Sequence, residues 1–265
     1  MIRTSVAHYL PDPPPWLKEP FRKLGWAERH LKDLDHEVDA YLGPPAPYLI
    51  TDKIDANAAE HVLWIKVVKP PPTELSLITG DCVQNIRSSL EYFMQQLTVR
   101  TGGVPDRKTQ FPIFATASEF KTKGGERMLK QVTEPTARAF VMRNQPYLSG
   151  LGHVDPLIYL ADLSDGDKHR LLQPLALYCA HLPLPATWRM AAGSSLRLYE
   201  GPYLSETVFA HVPFTVADAR MEVGVEPEMT VALVQAVMHK DIVNRLAAIL
   251  GRALGILLDA SREFH

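Results

Sequence analysis

A chain of 265 residues with 46% apolar side chains can bury a sizeable core and is too apolar to remain disordered. Its net charge of −2 excludes a protein that coats duplex DNA through bulk positive charge, and leaves room for a local basic site that holds RNA. MIRTSVAHYLPDPPPWLKEP lacks the apolar run of a secretion signal, and LAAILGRALGILLDA (246–260) is short for a bilayer and carries Arg252, so a soluble, cytoplasmic protein without membrane partners is expected.

Residues 1–19 read as an extended, Pro-rich leader. Phe21, Leu24, Leu31, Leu34, Val38 and Tyr41 recur at helical spacing and predict a helix over 20–42, stopped by GPPAP. YLITDKID and HVLWIKVV predict a hairpin over 47–68. After KPPPTE, a long central helix is predicted from about 74 to 101, closed by Gly102-Gly103. FPIF (111–114) reads as a short extended piece, and 116–165 as two or three short helices, with one at 134–144 and one at 155–163. SDGDKHR (164–170) reads as a loop. From 171 to 234 the runs LLQPLALYC, TWRMAA, SLRLYEG, TVFAHVPF, MEVGVE and TVALV predict an antiparallel sheet or meander. A last helix covers about 236–264. The expected fold is α+β, a single domain over 1–265. Long N-terminal, central and C-terminal helices pack with an antiparallel β-rich segment at about 171–234.

The central helix carries the main functional lead. Val83, Ile86, Leu90, Phe93, Met94 and Leu97 share one face. Asp81, Asn85, Ser88, Tyr92 and Gln95 share the other, beside Arg87 and Glu91. A solvated face would be rich in Lys and Glu; this uncharged, hydrogen-bonding stripe suits a cleft or a polar interface. Arg87 has the planar fork that binds phosphate or carboxylate. Glu91, one turn on, would orient it or move a proton. The plainer reading is a helix that packs its polar face on loops, with Arg87 and Glu91 as a surface ion pair.

Asp167, Lys168, His169 and Arg170 form a second cluster, in which Asp167 would set the protonation of His169; its plainer reading is a solvated charged turn. Asp165-Gly166-Asp167 is half of a calcium loop without the other ligands, and no Cys/His cluster or HExxH spacing exists, so no metal is expected. No cofactor motif is present: there is no P-loop, GxGxxG or GxSxG. Cys82 and Cys179 read as two reduced, partly buried thiols. The leucine-rich face of the last helix, with Gly251 and Gly255, is either core or the seam of a homodimer.

GDCVQNIRSSLEY (80–92), FPIF, NQPY (144–147) and LIYLADLSDGDKHRLL (157–172) together resemble a widespread set of uncharacterised bacterial proteins. Those carry a GDxxxNxRSxLDH helix, an FPI segment, a QPY and a DKHR run. The likeness covers roughly residues 75–175. The RSxLDH core of that pattern is similar to the RxxxxH motif of HEPN-type ribonucleases, whose helical Arg and His form a metal-independent RNA-cleaving site, commonly built by two subunits. The resemblance implies that Arg87 and Ser88 stand at the Arg and the polar residue after it. Tyr92 stands where the His belongs, and a tyrosine, with its pKa near about 10, is a poor general base at neutral pH. His169 would supply the base from the DKHR segment, or the chain keeps the grip on RNA without the cut.

Three readings remain at this level. The first is an HEPN-like RNA-binding or RNA-cleaving homodimer in defence or toxin systems, with Arg87, His169, Tyr92 and Glu91 as its catalytic candidates. The second is a non-catalytic binding or regulatory protein with an anion pocket built from Asp81, Asn85, Ser88, Asp167, Lys168 and Arg170. The third is a small-molecule enzyme using the same residues.

Overall fold

The computed structural model describes residues 12–169, 175–184, 193–214, 226–234 and 241–264, and the side chains of all of these except 166–169. Residues 1–11 of the Pro-rich leader lie outside the described residues; its later part forms a 3-10 turn at Pro15–Leu17, where the fixed φ of proline suits a helix start. It runs directly into α1, Lys18–Leu42. Leu24, Leu31, Leu34 and Val38 are all buried there, as the helical spacing requires.

The hairpin follows as β1, Tyr48–Asp55, and β2, Glu60–Val67, in antiparallel register from Tyr48↔Val67 to Asp55↔Glu60. Asp55 Oδ1 closes the turn by accepting from the Asn57 and Ala58 N–H groups. The central helix, α2, spans Thr73–Arg100. Its end is a Schellman motif: Gly102 N–H bonds to Val99 O at 3.0 Å and Gly103 N–H to Thr98 O at 2.9 Å. Gly102 has φ +78°, which favours glycine, and a Cβ on Gly103 would lie 2.0 Å from Gln131 O.

Short helices come next: α3, Ala117–Thr122, capped by Thr116; α4, Gly125–Met128; and α5, Pro135–Arg143. Then comes α6, Pro156–His169. The run SDGDKHR was expected as a loop, but the helix continues through its residues 164–169. One interior glycine costs only about 1 kcal/mol against alanine, while α6 buries Leu157, Leu160 and Leu163. Ser164 stays satisfied inside the helix, donating to Ala161 O at 3.0 Å. The fold closes with β3, Leu175–His181; β4, Arg197–Leu198; β5, Glu206–Pro213; β6, Glu228–Leu233; and α7, Ile242–Glu263. TWRMAA and most of MEVGVE lie outside the described residues.

The fold is α+β. Among the described residues its strands pair antiparallel, as expected. One sheet has the order β1-β2-β5-β4, and β3 pairs with β6 in a second. The early hairpin is thus extended by a strand from far later in the chain.

The chain divides into two compact units. The first takes in 1–34, 77–173 and 243–265, and the second 35–76 and 174–242. The first is centred on fully buried Phe93, whose ring lies 6.2 Å from Trp16, 6.3 Å from Phe111 and 5.9 Å from Phe140. In α7, Leu246, Ile249, Leu250, Ala253, Leu254 and Leu257 are buried, so the leucine-rich face serves as core. Gly251 and Gly255 face open space. In the second unit His61, Leu63 and Ile65, alternate residues of β2, point inward. His61 Nδ1 lies 2.6 Å from Asp52 Oδ2.

Among the described residues no helix is long and apolar enough to cross a membrane. Both cysteines are free and buried. Burial pushes the Cys82 thiol up to about 12 and that of Cys179 to about 11. At pH 8 an ordinary thiol is roughly a quarter thiolate, whereas one at about 12 is thiolate in about one molecule in ten thousand. Neither cysteine should therefore react with a thiol-specific disulfide reagent at pH 8 while the protein is folded, and both should react in denaturant. Prompt labelling of the folded protein would contradict this burial.

Candidate functional site

The polar stripe of α2 has two edges with different neighbours. On one edge, Gln84, Arg87, Ser88, Glu91 and Gln95 form a wall of a cleft of about 220 Å³. The facing wall is the loop that follows the Gly102-Gly103 stop, with Asp106, Arg107, Thr109 and Gln110. Every side chain lining this cleft is polar or charged.

Arg87 and Glu91 pair one turn apart and grip the same peptide. Arg87 Nη2 donates to Phe111 O at 3.1 Å, and the Phe111 N–H donates to Glu91 Oε2 at 3.2 Å. Both side chains are largely covered, at 13% and 21% exposure. The pair therefore pins the start of FPIF to the helix, completing both hydrogen bonds of a backbone unit that has no strand partner. Both Arg87 contacts use Nη2; Nε and Nη1 have no hydrogen-bond acceptor among the described residues. Arg87 itself is among the residues that line the cleft.

The next residue of FPIF is held from another side. Gln145, fully buried in NQPY, donates from Nε2 to Pro112 O at 2.8 Å and to Val141 O at 3.2 Å. Asn144 beside it accepts from Arg252 of α7 through both Oδ1 and its backbone oxygen. The helix stripe, FPIF and NQPY are thus one connected structure within the first unit.

The opposite wall of the cleft is built around Asp106. Its carboxylate accepts from Lys108 N–H at 2.8 Å, Gln131 Nε2 at 3.2 Å and Thr109 Oγ1 at 3.2 Å. These bonds, the Lys108 N–H first and Gln131 next, hold the carboxyl below its ordinary range and so keep it ionised. The turn they make exposes Arg107, which has no ion pair among the described residues.

The other edge of the stripe faces α1. Lys23 Nζ donates to Asn85 Oδ1 at 3.3 Å and stands 5.9 Å from the centre of the Tyr92 ring. Asn85 donates in turn to Asp81 O at 2.9 Å, and the Asp81 side chain is exposed. Arg87, Ser88 and Glu91 thus come together, whereas Asp81, Asn85 and Tyr92 do not join them in the cleft. The backbone of Asp167, Lys168 and His169 belongs to α6, but their side chains, and all of Arg170, lie outside the described residues. No group of three or more His, Cys, Asp or Glu suited to hold a metal occurs among the described residues.

Sequence reasoning missed Arg107, Asp106, Thr109 and Gln110. The one signal for them is position: PDRKTQ directly precedes FPIF, so whatever fixes FPIF beside α2 also fixes this loop. No protein family, curated protein or solved structure matches the chain.

Proposed function

We propose that this chain is a binding protein that holds an anionic ligand in the cleft between α2 and the 106–110 loop, RNA being the ligand that the RxxxxH resemblance implies. The observation that carries this reading is the pair of guanidiniums on facing walls, Arg87 and Arg107. Arg87 is fixed by its pairing with Glu91 and Phe111, so its guanidinium is held in one place at the cleft. Arg107 has no competing carboxylate partner among the described residues.

Cleavage calls for a base, and Tyr92 stands beside Lys23 rather than in the cleft. The two carboxylates in the cleft are already engaged as acceptors. Among the described side chains the cleft offers no base left over for cleavage, and the proposal is a grip without a cut, in a cytosolic protein whose pairing into a homodimer is what the resemblance implies.

The test is fluorescence anisotropy with a labelled single-stranded RNA, together with a gel of the same RNA after long incubation. Binding should weaken with salt. Arg107→Ala should weaken it about tenfold, since one charge-assisted contact is worth about 1.5 kcal/mol or more. Tyr92→Phe should change nothing, and the RNA should remain intact. Metal-independent cleavage of the RNA would replace this reading with the ribonuclease one. Absence of RNA binding at low salt would remove RNA as the ligand, and with it the ribonuclease reading.

A further inference from the structure

Resting on the reading of this cleft as an anion pocket, we propose that its ligand unit is a sugar phosphate: one phosphate group flanked by hydroxyls. The formal charges of the lining cancel, with Arg87 and Arg107 against Glu91 and Asp106. A compact polyanion would meet two carboxylates along with two guanidiniums and gain little from the cleft as a whole. A ligand with a single phosphate and neighbouring hydroxyls uses both signs. The phosphate accepts from guanidinium N–H groups, and the hydroxyls donate to carboxylate and amide oxygens.

The remaining lining fits this division. Gln84, Gln95 and Gln110 each offer a donor and an acceptor, and Ser88 and Thr109 offer hydroxyls. No aromatic or aliphatic side chain lines the cleft, so a nucleobase would have no surface to stack on and an acyl chain none to bury against. Stacking is the usual way a protein holds an unpaired base. Recognition here falls on the sugar and the phosphate. A volume of about 220 Å³, below the roughly 300 Å³ at which pockets for drug-sized ligands begin, has room for one such unit rather than for a long ligand. The same chemistry is offered by a free sugar phosphate and by the ribose-phosphate backbone of RNA.

The experiment is calorimetric titration of the full chain with ribose 5-phosphate, ribose, inorganic phosphate and pyrophosphate, followed by competition with a ten-nucleotide RNA and the DNA of the same sequence. Ribose 5-phosphate should bind at least tenfold more tightly than ribose, inorganic phosphate or pyrophosphate. Arg107→Ala should lose about tenfold of that affinity, and Asp106→Asn should narrow the preference for ribose 5-phosphate over inorganic phosphate. Displacement by the RNA and not by the DNA supports the proposal with the strand as source. Displacement by neither supports it with a free sugar phosphate as source. Pyrophosphate or inorganic phosphate binding as tightly as ribose 5-phosphate overturns the proposal while the anion pocket stands. If no anionic probe binds, the proposal and the reading it rests on both fall.

Discussion

Phe93→Ala is expected to lower the stability of the first unit by about 3–5 kcal/mol, the cost typical of deleting a fully buried aromatic side chain. The ring is completely inaccessible and touches aromatics from three separate segments: Trp16 ahead of α1, Phe111 at the start of FPIF and Phe140 in α5. Trp16 and Phe140 also meet Phe264, at 6.4 and 5.4 Å, so the cluster reaches beyond α7. Such a site collapses poorly, because each neighbour is held by its own element. Phe93→Leu keeps most of the apolar volume and should cost clearly less. Urea titrations followed by tryptophan fluorescence would read both values. A loss below about 1 kcal/mol for Phe93→Ala would mean that the cluster closes over the gap, and the account of this core would be wrong.

The long helices and the hairpin were legible in the sequence because their signals are local. Leu24, Leu31, Leu34 and Val38 repeat at the helical period, and β2 alternates His61, Leu63 and Ile65 inward. Strand pairing was not legible. The run TVFAHVPF reads as a strand, but nothing within it names β2 as its neighbour rather than β6, since that choice is made by long-range closure. SDGDKHR failed for another reason: turn-like composition was overridden by a helix whose leucines are buried.

The site divides along the same line. A helical wheel groups Asp81, Asn85, Ser88, Tyr92 and Gln95 correctly on one side of α2, yet it is blind to what covers each edge. Lys23 takes the Asn85–Tyr92 edge and the 106–110 loop takes the Arg87–Glu91 edge. Arg107 sits in a loop with no periodicity, so no pattern in the sequence marks it.

The loop and the helix make opposite demands on the two arginines, and this separates holding a ligand from holding the fold. Arg87 and Glu91 satisfy both groups of the Phe111 peptide while only 13% and 21% exposed. Removing Arg87 would take the ion pair from the Glu91 carboxylate and this donor from the Phe111 carbonyl, in partly covered positions. For a fully buried pair that loss reaches about 3–5 kcal/mol; residual solvent access brings the expectation for Arg87→Ala to about 2–3 kcal/mol. Arg107 is exposed and makes no ion pair among the described residues, so Arg107→Ala should fall within about 0.5 kcal/mol of the parent. Both substitutions should weaken anion binding, and only the first should also destabilise the protein. Glu91→Gln provides the cross-check. It keeps an acceptor for the Phe111 N–H and removes the charge, so it should cost less than Arg87→Ala, and the double variant should cost less than the sum of the two. Paired denaturation and binding curves for the variants would measure this. An Arg87→Ala protein as stable as its parent would show that the grip on Phe111 contributes nothing, and Arg87 would then be a ligand residue alone.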